Sequence, residues 1–119
     1  MQNYEMELMI LGEKWEIKVD PNLKDTCQGL CDFSIRTIYI NDFNKYVEYD
    51  NVLQNLNIEI LRTIRHEIVH ALFFESGLAE YGNDEVLVDF LAVQFPKLRT
   101  IVGEIESTVC RREVMNYGK

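Results

Sequence analysis

Apolar and polar positions alternate with a period of two over the first part of the chain, a pattern that indicates half-buried strands. Two such segments, residues 6–12 and 14–20, are separated by a break that contains glycine. A third stretch, residues 29–42, resumes the alternation and is interrupted at 32–34, which predicts the bend of a hairpin. The strands are expected within about residues 6–40.

From about residue 51 to residue 76 the apolar positions recur with helical spacing, and Gly77 then supplies a natural helix stop. The apolar side chains that fall on one stripe of this helix are Ile60, Leu61, Ile64, Ile68, Ala71 and Leu72. Further apolar residues border the opposite side. We therefore expect the second half of the helix to be buried nearly all round.

The last third of the chain predicts two more helices. Asn83-Asp84 is typical of a helix cap, and Pro96 predicts the start of a separate helix, because proline is tolerated in a first turn but breaks a helix interior. The expected helices span about residues 51–76, 85–95 and 96–112. Since strands precede helices, residues 1–119 are predicted to form one α+β domain, with a small antiparallel or mixed sheet packed on a helical part.

Composition narrows the possible partners. Twenty acidic residues against 12 basic ones give a formal net charge of -8, which argues against nucleic acid and an anionic membrane surface. The apolar runs are too short for a membrane span, and the N-terminal segment lacks the basic start of a signal peptide. We expect a cytoplasmic protein with free thiols at Cys27, Cys31 and Cys110, since the first two do not have the common CxxC spacing of a metal clip.

Both histidines of the chain lie in one H-E-x-x-H motif, His66 to His70. Four residues apart on a helix, the two imidazoles project from one face and can reach a single Zn²⁺ at roughly 2.0–2.1 Å. Glu67 lies about 100° from His66 around the helix axis, where a carboxylate can take a proton from water beside the metal. The alternative is a pair of structural histidines. Because buried imidazoles need partners, a metal that satisfies both favours a zinc site.

Catalytic zinc usually has a third protein ligand, and the chain has no third histidine. Glu85 and Asp89 stand four residues apart on a predicted helix of otherwise apolar residues, where burying two acids without a cation is costly. We therefore predict that Glu85 is the third ligand and that Asp89 accepts a hydrogen bond from a ligating histidine. Asp89, Asp84 or a cysteine remains an alternative ligand, and Glu85 alternatively serves only as a first-turn acid.

The motif His66 to His70, followed by an acidic pair on a second helix, resembles the gluzincin metallopeptidases. It resembles more closely the small ImmA/IrrE-type metallopeptidase domains of bacteria and their mobile elements, over most of residues 27–96. The positions that correspond to that family's second motif, E-x-x-A-N-x-F-A, are Glu85, Val88, Asp89, Leu91 and Ala92, of which only the first and last match. The resemblance implies a minimal zincin-like fold and a cytoplasmic, phage-related zinc peptidase that acts on a regulatory protein.

The expected reaction is hydrolysis of a peptide bond in a protein or peptide substrate, with Glu67 as general base. Tyr81 lies between the two predicted zinc-binding segments and is the first choice for the oxyanion donor, with Tyr46 and Tyr49 as alternatives. Competing hypotheses are a catalytically silent zinc-binding interaction module, another metal-dependent hydrolase, and a small structural or inhibitory protein. The presence of Glu67 favours the peptidase, because only catalysis requires it.

Overall fold

The protein is described here by a computed structural model, which covers residues 5–43 and 52–117. One four-stranded sheet is followed by two α-helices that are joined through a short 3-10 helix. The elements are β1 (Met6–Ile10), β2 (Glu13–Asp20), β3 (Gly29–Asp32), β4 (Thr37–Asn41), α1 (Val52–Glu75), the 3-10 helix (Ala79–Asn83) and α2 (Glu85–Tyr117). The predicted α+β class, with strands before helices, is confirmed.

The sheet is mixed, with the strand order β1-β2-β4-β3. β1 and β2 form a hairpin around Leu11-Gly12, whose positive φ angles of 49° and 86° are those of a two-residue type I′ turn. β3 and β4 form a second antiparallel hairpin, and β4 pairs in parallel with β2. Among the described residues, the second hairpin therefore leaves β3 at the edge of the sheet, with no strand beside its outer backbone groups.

Asn41 fixes the long connection between β2 and β3. Its side chain is buried, and Nδ2 donates hydrogen bonds to the carbonyls of Lys24 and Cys27 at 2.9 and 2.8 Å. Its backbone N–H donates to the Gln28 carbonyl at 2.8 Å, one residue before β3 begins. These bonds hold the start of the edge strand in place.

Helix α1 lies between the sheet and α2. One side of it packs on the sheet around fully buried Trp15, and the other side contacts α2 through Val69, Val88 and Ala92. No residue from 67 to 75 is exposed, as the sequence predicted. The prediction for Leu61 was wrong, because this residue is 55% exposed. It lies at the margin of the apolar stripe, about 100° from Ile60 around the helix axis.

The predicted division of the C-terminal region at Pro96 is also wrong, because α2 runs without a break through Pro96. Proline has no N–H, so it leaves the carbonyl four residues earlier, that of Ala92, without its helical partner. Arg65 of α1 fills this vacancy with a hydrogen bond from Nε to the Ala92 carbonyl oxygen at 3.0 Å. A contact from a neighbouring helix therefore allows the proline to sit inside α2.

Neither helix in the described part of the chain combines the length and apolar character needed to cross a membrane. Both are long, with 24 and 33 residues, but charged residues such as Arg62 and Glu67 in α1 and Asp89 and Arg99 in α2 interrupt their apolar runs.

Candidate metal centre

Helix α1 presents His66 and His70 on one side, a single turn apart. Their ring centroids are 5.0 Å from each other, and their side chains are 24% and 13% exposed. The rings project between the edge of the sheet and the start of α2, so one helix period brings two nitrogen donors to the same place.

The chain turns back after α1 so that Glu85 comes to lie over the two histidines. Gly77, with a φ of 79°, ends the helix in the left-handed conformation, and the 3-10 helix reverses the chain direction. Asp84 then caps α2, since its Oδ1 accepts hydrogen bonds from the backbone N–H groups of Val86 and Leu87, both at 3.1 Å. The cap fixes Glu85 as the first residue of α2.

Both histidines face the same carboxylate. His66 Nε2 lies 3.0 Å from Glu85 Oε2, and His70 Nε2 lies 3.2 Å from Glu85 Oε1. One ligand atom from each of the three residues lies within 4.8 Å of the other two. Ligands of a tetrahedral Zn²⁺ are separated by about 3.3 Å, as bond lengths of roughly 2.0–2.1 Å require. Two imidazole nitrogens and a carboxylate this close together could hold a metal ion, and the donor types fit zinc.

The other ring nitrogen of His70 strengthens this fit. The Gly82 backbone hydrogen-bonds the His70 ring, and Nδ1 is the nitrogen that lies on the Gly82 side. Burial lowers the pKa of His70, while the charge of Glu85 and the Gly82 bond act in the opposite direction. With Nδ1 on the Gly82 side, Nε2 is the His70 nitrogen that faces the Glu85 carboxylate, where it could bind a cation.

Asp89 lies one helical turn after Glu85 and faces the second nitrogen of His66. Its Oδ1 is 3.7 Å from His66 Nδ1, and its Oδ2 is 3.5 Å from Arg62 Nη2. The first distance is longer than a hydrogen bond. The predicted hydrogen bond from His66 to Asp89 is therefore not made in this structure, and the Asp89 carboxylate instead contacts Arg62.

The burial argument that led to Glu85 and Asp89 was wrong. Their side chains are 65% and 46% exposed, and Val86 and Phe90 on the same helix are also exposed. α2 contacts the rest of the protein mainly through Val88 and Ala92, so its first turns lie at the rim of the fold. Glu85 reaches the histidines because the cap and the chain reversal direct it there.

Glu67 lies beneath the edge strand and is only 7% exposed. Burial raises the pKa of its carboxyl to about 7, opposed by the charge of His66 and assisted by that of Glu85. β3 approaches it closely: a Cβ atom on Gly29 would lie 3.0 Å from Glu67 Cγ and 2.7 Å from Thr63 Cγ2. Glycine at this position therefore lets the edge strand close over Glu67.

A cleft runs along the edge strand on both sides of His66 and Glu67. The part beside the 3-10 helix has a volume of about 710 Å³ and an apolar wall, in which Phe33 stacks on Phe74 with ring centroids 4.8 Å apart. The part on the other side has a volume of about 780 Å³ and is bordered by the polar residues Asp25, Glu59 and Arg62. His66 thus stands where the two parts meet, and His70 and Glu85 line the part beside the 3-10 helix.

The structure does not bring Tyr81 to the predicted position. Its ring packs beside Phe73, with centroids 6.3 Å apart, and the residue is 49% exposed. Within the described residues, those that line the cleft beside the 3-10 helix include Ala79, Glu80 and Gly82 but not Tyr81. The alternatives Tyr46 and Tyr49 lie outside the described residues.

The cysteines do not join the histidines. All three are free thiols, and among the described residues the group able to hold a metal contains His66, His70 and Glu85 without any sulfur. Cys31 lines the cleft, but burial, with the charges of Glu67 and Asp32, raises the pKa of its thiol to about 12. A neutral thiol is a poor metal ligand. Asp84 is likewise occupied as the cap of α2.

Two features of the site were missed from sequence. Gly29 begins a strand, and glycine in a strand marks a close approach of the backbone, which was the available signal. Gly82 packs against Phe73 and His70 in a similar way, at 3.4 and 3.7 Å from where its Cβ would be. No local sequence pattern predicts the contact of Gly82 with His70 and Phe73, because this contact depends on how the 3-10 helix folds back.

Comparisons with known proteins give no relative. No protein-family model, no curated protein and no solved structure matches the chain.

Proposed function

We propose that the protein is a zinc-dependent peptidase. The observation that carries this proposal is the convergence of His66 Nε2 and His70 Nε2 on the Glu85 carboxylate at 3.0 and 3.2 Å, in the wall of an open cleft. Two nitrogens and a carboxylate leave one position of a tetrahedral metal free, which is the arrangement of catalytic rather than structural zinc. The ImmA/IrrE-type resemblance of the two motifs points to the same activity.

Each residue has a separate task in this proposal. His66, His70 and Glu85 hold the metal, and Asp89, 3.7 Å from His66 Nδ1, orients this ring by forming a hydrogen bond when the metal binds. A Zn²⁺ held by these residues would supply Lewis acidity and would lower the pKa of a water molecule toward neutral. Glu67, next to His66 and directed under β3, accepts the proton of the attacking water and delivers it to the leaving amine.

The substrate binds as an extended strand along β3. Gln28 directs its carbonyl to β4, so the alternation of a strand directs the backbone groups of Gly29 and Cys31 towards the open edge. The Gly29 carbonyl accepts a hydrogen bond from Cys27 Sγ at 3.3 Å, which places this carbonyl away from β4. A peptide paired with this edge passes directly beside Glu67 and His66, and its main chain supplies most of the binding contacts.

A library of unstructured peptides, incubated with zinc-loaded protein and analysed by mass spectrometry, tests the proposal. Wild-type protein is expected to cleave peptides, and Glu67→Gln is expected to keep zinc but to lose activity by a factor of about 10²–10⁴. Glu80→Gln is the matched control, because this exposed acid lines the same cleft outside the metal-binding group. Zinc-loaded Glu67→Gln that cleaves as fast as the wild type refutes the proposed role of Glu67. No cleavage by zinc-loaded wild type would favour a silent binding module.

A further inference from the structure

The second half of α2 extends away from the rest of the fold. The helix continues to Tyr117, and every residue from 97 to 111 is exposed. The 21 residues that follow Pro96 span about 32 Å at 1.5 Å per residue. The longest dimension of the molecule, 61 Å, reflects this extension.

The extended part of α2 carries a continuous apolar stripe. Its members alternate in spacing between three and four residues, the repeat of a coiled-coil seam. They are Phe95, Leu98, Val102, Ile105 and Val109, which are 39–57% exposed, and exposed Ile101 borders them. A solvated stripe of this length is unusual on a monomer and marks an interaction surface. We refer to these five residues as the distal stripe.

The charges beside the distal stripe identify its partner. Arg99 directly follows Leu98, and Glu106 directly follows Ile105, so the two opposite charges flank the same side of the seam seven residues apart. When two copies of this helix run antiparallel, flanking positions of this kind face each other across the seam. Arg99 then faces Glu106 of the second copy, and Glu106 faces Arg99 of the second copy.

We propose that the protein forms a homodimer through the distal stripe, with the two α2 helices antiparallel. The same register that pairs Arg99 with Glu106 pairs Leu98 with Val109 of the second copy and Val102 with Ile105 of the second copy. Four of the five residues of the distal stripe therefore form apolar layers in the same alignment that makes the ion pairs, and Phe95 lies beyond the last of these layers, opposite position 112.

A parallel pair gives no such agreement. It would place Arg99 opposite Gln94 and Glu106 opposite Ile101, without an ion pair. The charge pattern therefore selects the antiparallel direction.

The dimer leaves both clefts open. Its two-fold axis crosses the helices between residues 103 and 104, so the two Glu85 residues lie about 55 Å apart along the helix axis. The metal-binding candidates of each copy are then at opposite ends of the assembly. The proposal of a dimer does not rest on the proposed peptidase activity.

Sedimentation equilibrium of the full chain tests this proposal. The wild type is expected to be dimeric, and Ile105→Glu is expected to be monomeric with unchanged helix content by circular dichroism. Val86→Glu is the control, because Val86 is 82% exposed on the same helix but outside the distal stripe. A wild type that remains monomeric at about 100 μM overturns the proposal.

Charge reversal tests the antiparallel direction. Arg99→Glu and Glu106→Arg alone each place like charges together at both ends of the seam and are expected to weaken the dimer about tenfold. The double variant restores both pairs and is expected to recover the wild-type dissociation constant. A dimer that neither single variant weakens, or that the double variant fails to recover, overturns the antiparallel arrangement.

Discussion

Arg65 and Ala92 make a hydrogen bond between the two helices, from Nε to a carbonyl oxygen 3.0 Å away, at the point where Pro96 cannot supply its own N–H. Ala92 is fully buried, so its carbonyl has little access to water. The bond therefore serves two purposes, since it keeps α2 continuous and fastens α2 to α1. It also holds in place the helix whose first residue is Glu85.

Arg65→Met is expected to lower the free energy of unfolding by about 1–3 kcal/mol, because it leaves a buried carbonyl without a partner. Pro96→Ala supplies the missing N–H. Arg65→Met is therefore expected to lower the free energy of unfolding by clearly less in the Pro96→Ala background. Chemical denaturation of the two single variants and the double variant measures this coupling. Lys97→Met, an exposed change on α2, is the control for lost charge. Equal costs of Arg65→Met in both backgrounds would show that the carbonyl does not depend on Arg65.

The strands were predictable from sequence, because one buried face imposes a period of two on residues such as Trp15 and Ile17. The long helix before Gly77 was predictable for a similar reason. The continuity of α2 was not predictable, because the hydrogen bond that compensates for Pro96 comes from Arg65, 31 positions earlier in the sequence. Local rules describe what proline does to an isolated helix and contain no information about a neighbouring helix.

Gly29→Ala is expected to destabilise the protein by about 1–3 kcal/mol, because the new methyl group would lie 2.7 Å from Thr63 Cγ2 and 3.0 Å from Glu67 Cγ. Thr63→Ser removes the nearer of these atoms and is expected to recover part of the loss in the double variant. Thermal denaturation measures both effects. Gly103→Ala is the matched control: nothing lies within 4 Å of its Cβ position, and alanine in a helix is expected to stabilise by about 1 kcal/mol. If Gly29→Ala does not lower the thermal stability relative to wild type, as is expected of Gly103→Ala, β3 does not pack on Glu67.

We expect Glu67 to make the metal-free protein less stable as the pH rises. Its pKa is raised from 4.5 to about 7, so between these values the folded carboxyl keeps a proton that the unfolded chain has released. Stability that is present below pH 4.5 is therefore lost as the pH rises through about 7, with a total of about 3 kcal/mol.

Glu67→Gln removes this pH dependence. The quantity to compare is the free energy of unfolding of Glu67→Gln minus that of wild type, measured in the presence of a chelator. This difference is expected to be about 3 kcal/mol larger at pH 8 than at pH 4. Denaturant titrations at a series of pH values give the difference curve, with Glu80→Gln as the control that should stay parallel to wild type. A flat difference between Glu67→Gln and wild type would contradict burial of the Glu67 carboxyl.

The candidate metal centre was predictable only where it follows from helix geometry. A spacing of four residues brings His66 and His70 to one face whatever the rest of the fold does. Glu85 was identified, but on the basis of a burial that the structure does not have, and its position depends on the chain reversal between the helices. Tyr81 was placed by its position in the sequence alone, and its ring instead packs on Phe73. Contacts across a chain reversal have no periodic signature, so sequence patterns do not specify them.

The central claim is that His66, His70 and Glu85 bind one zinc ion. Metal content by mass spectrometry after zinc loading and removal of free metal is the direct test, with His66→Ala and Glu85→Gln as test variants. Asp84→Asn is the matched control, because asparagine keeps the helix cap but removes the neighbouring charge. We predict about one zinc per chain in wild type and Asp84→Asn, and its loss in both test variants. A wild type that holds no zinc, or a Glu85→Gln variant that binds it as tightly as wild type, would contradict this claim.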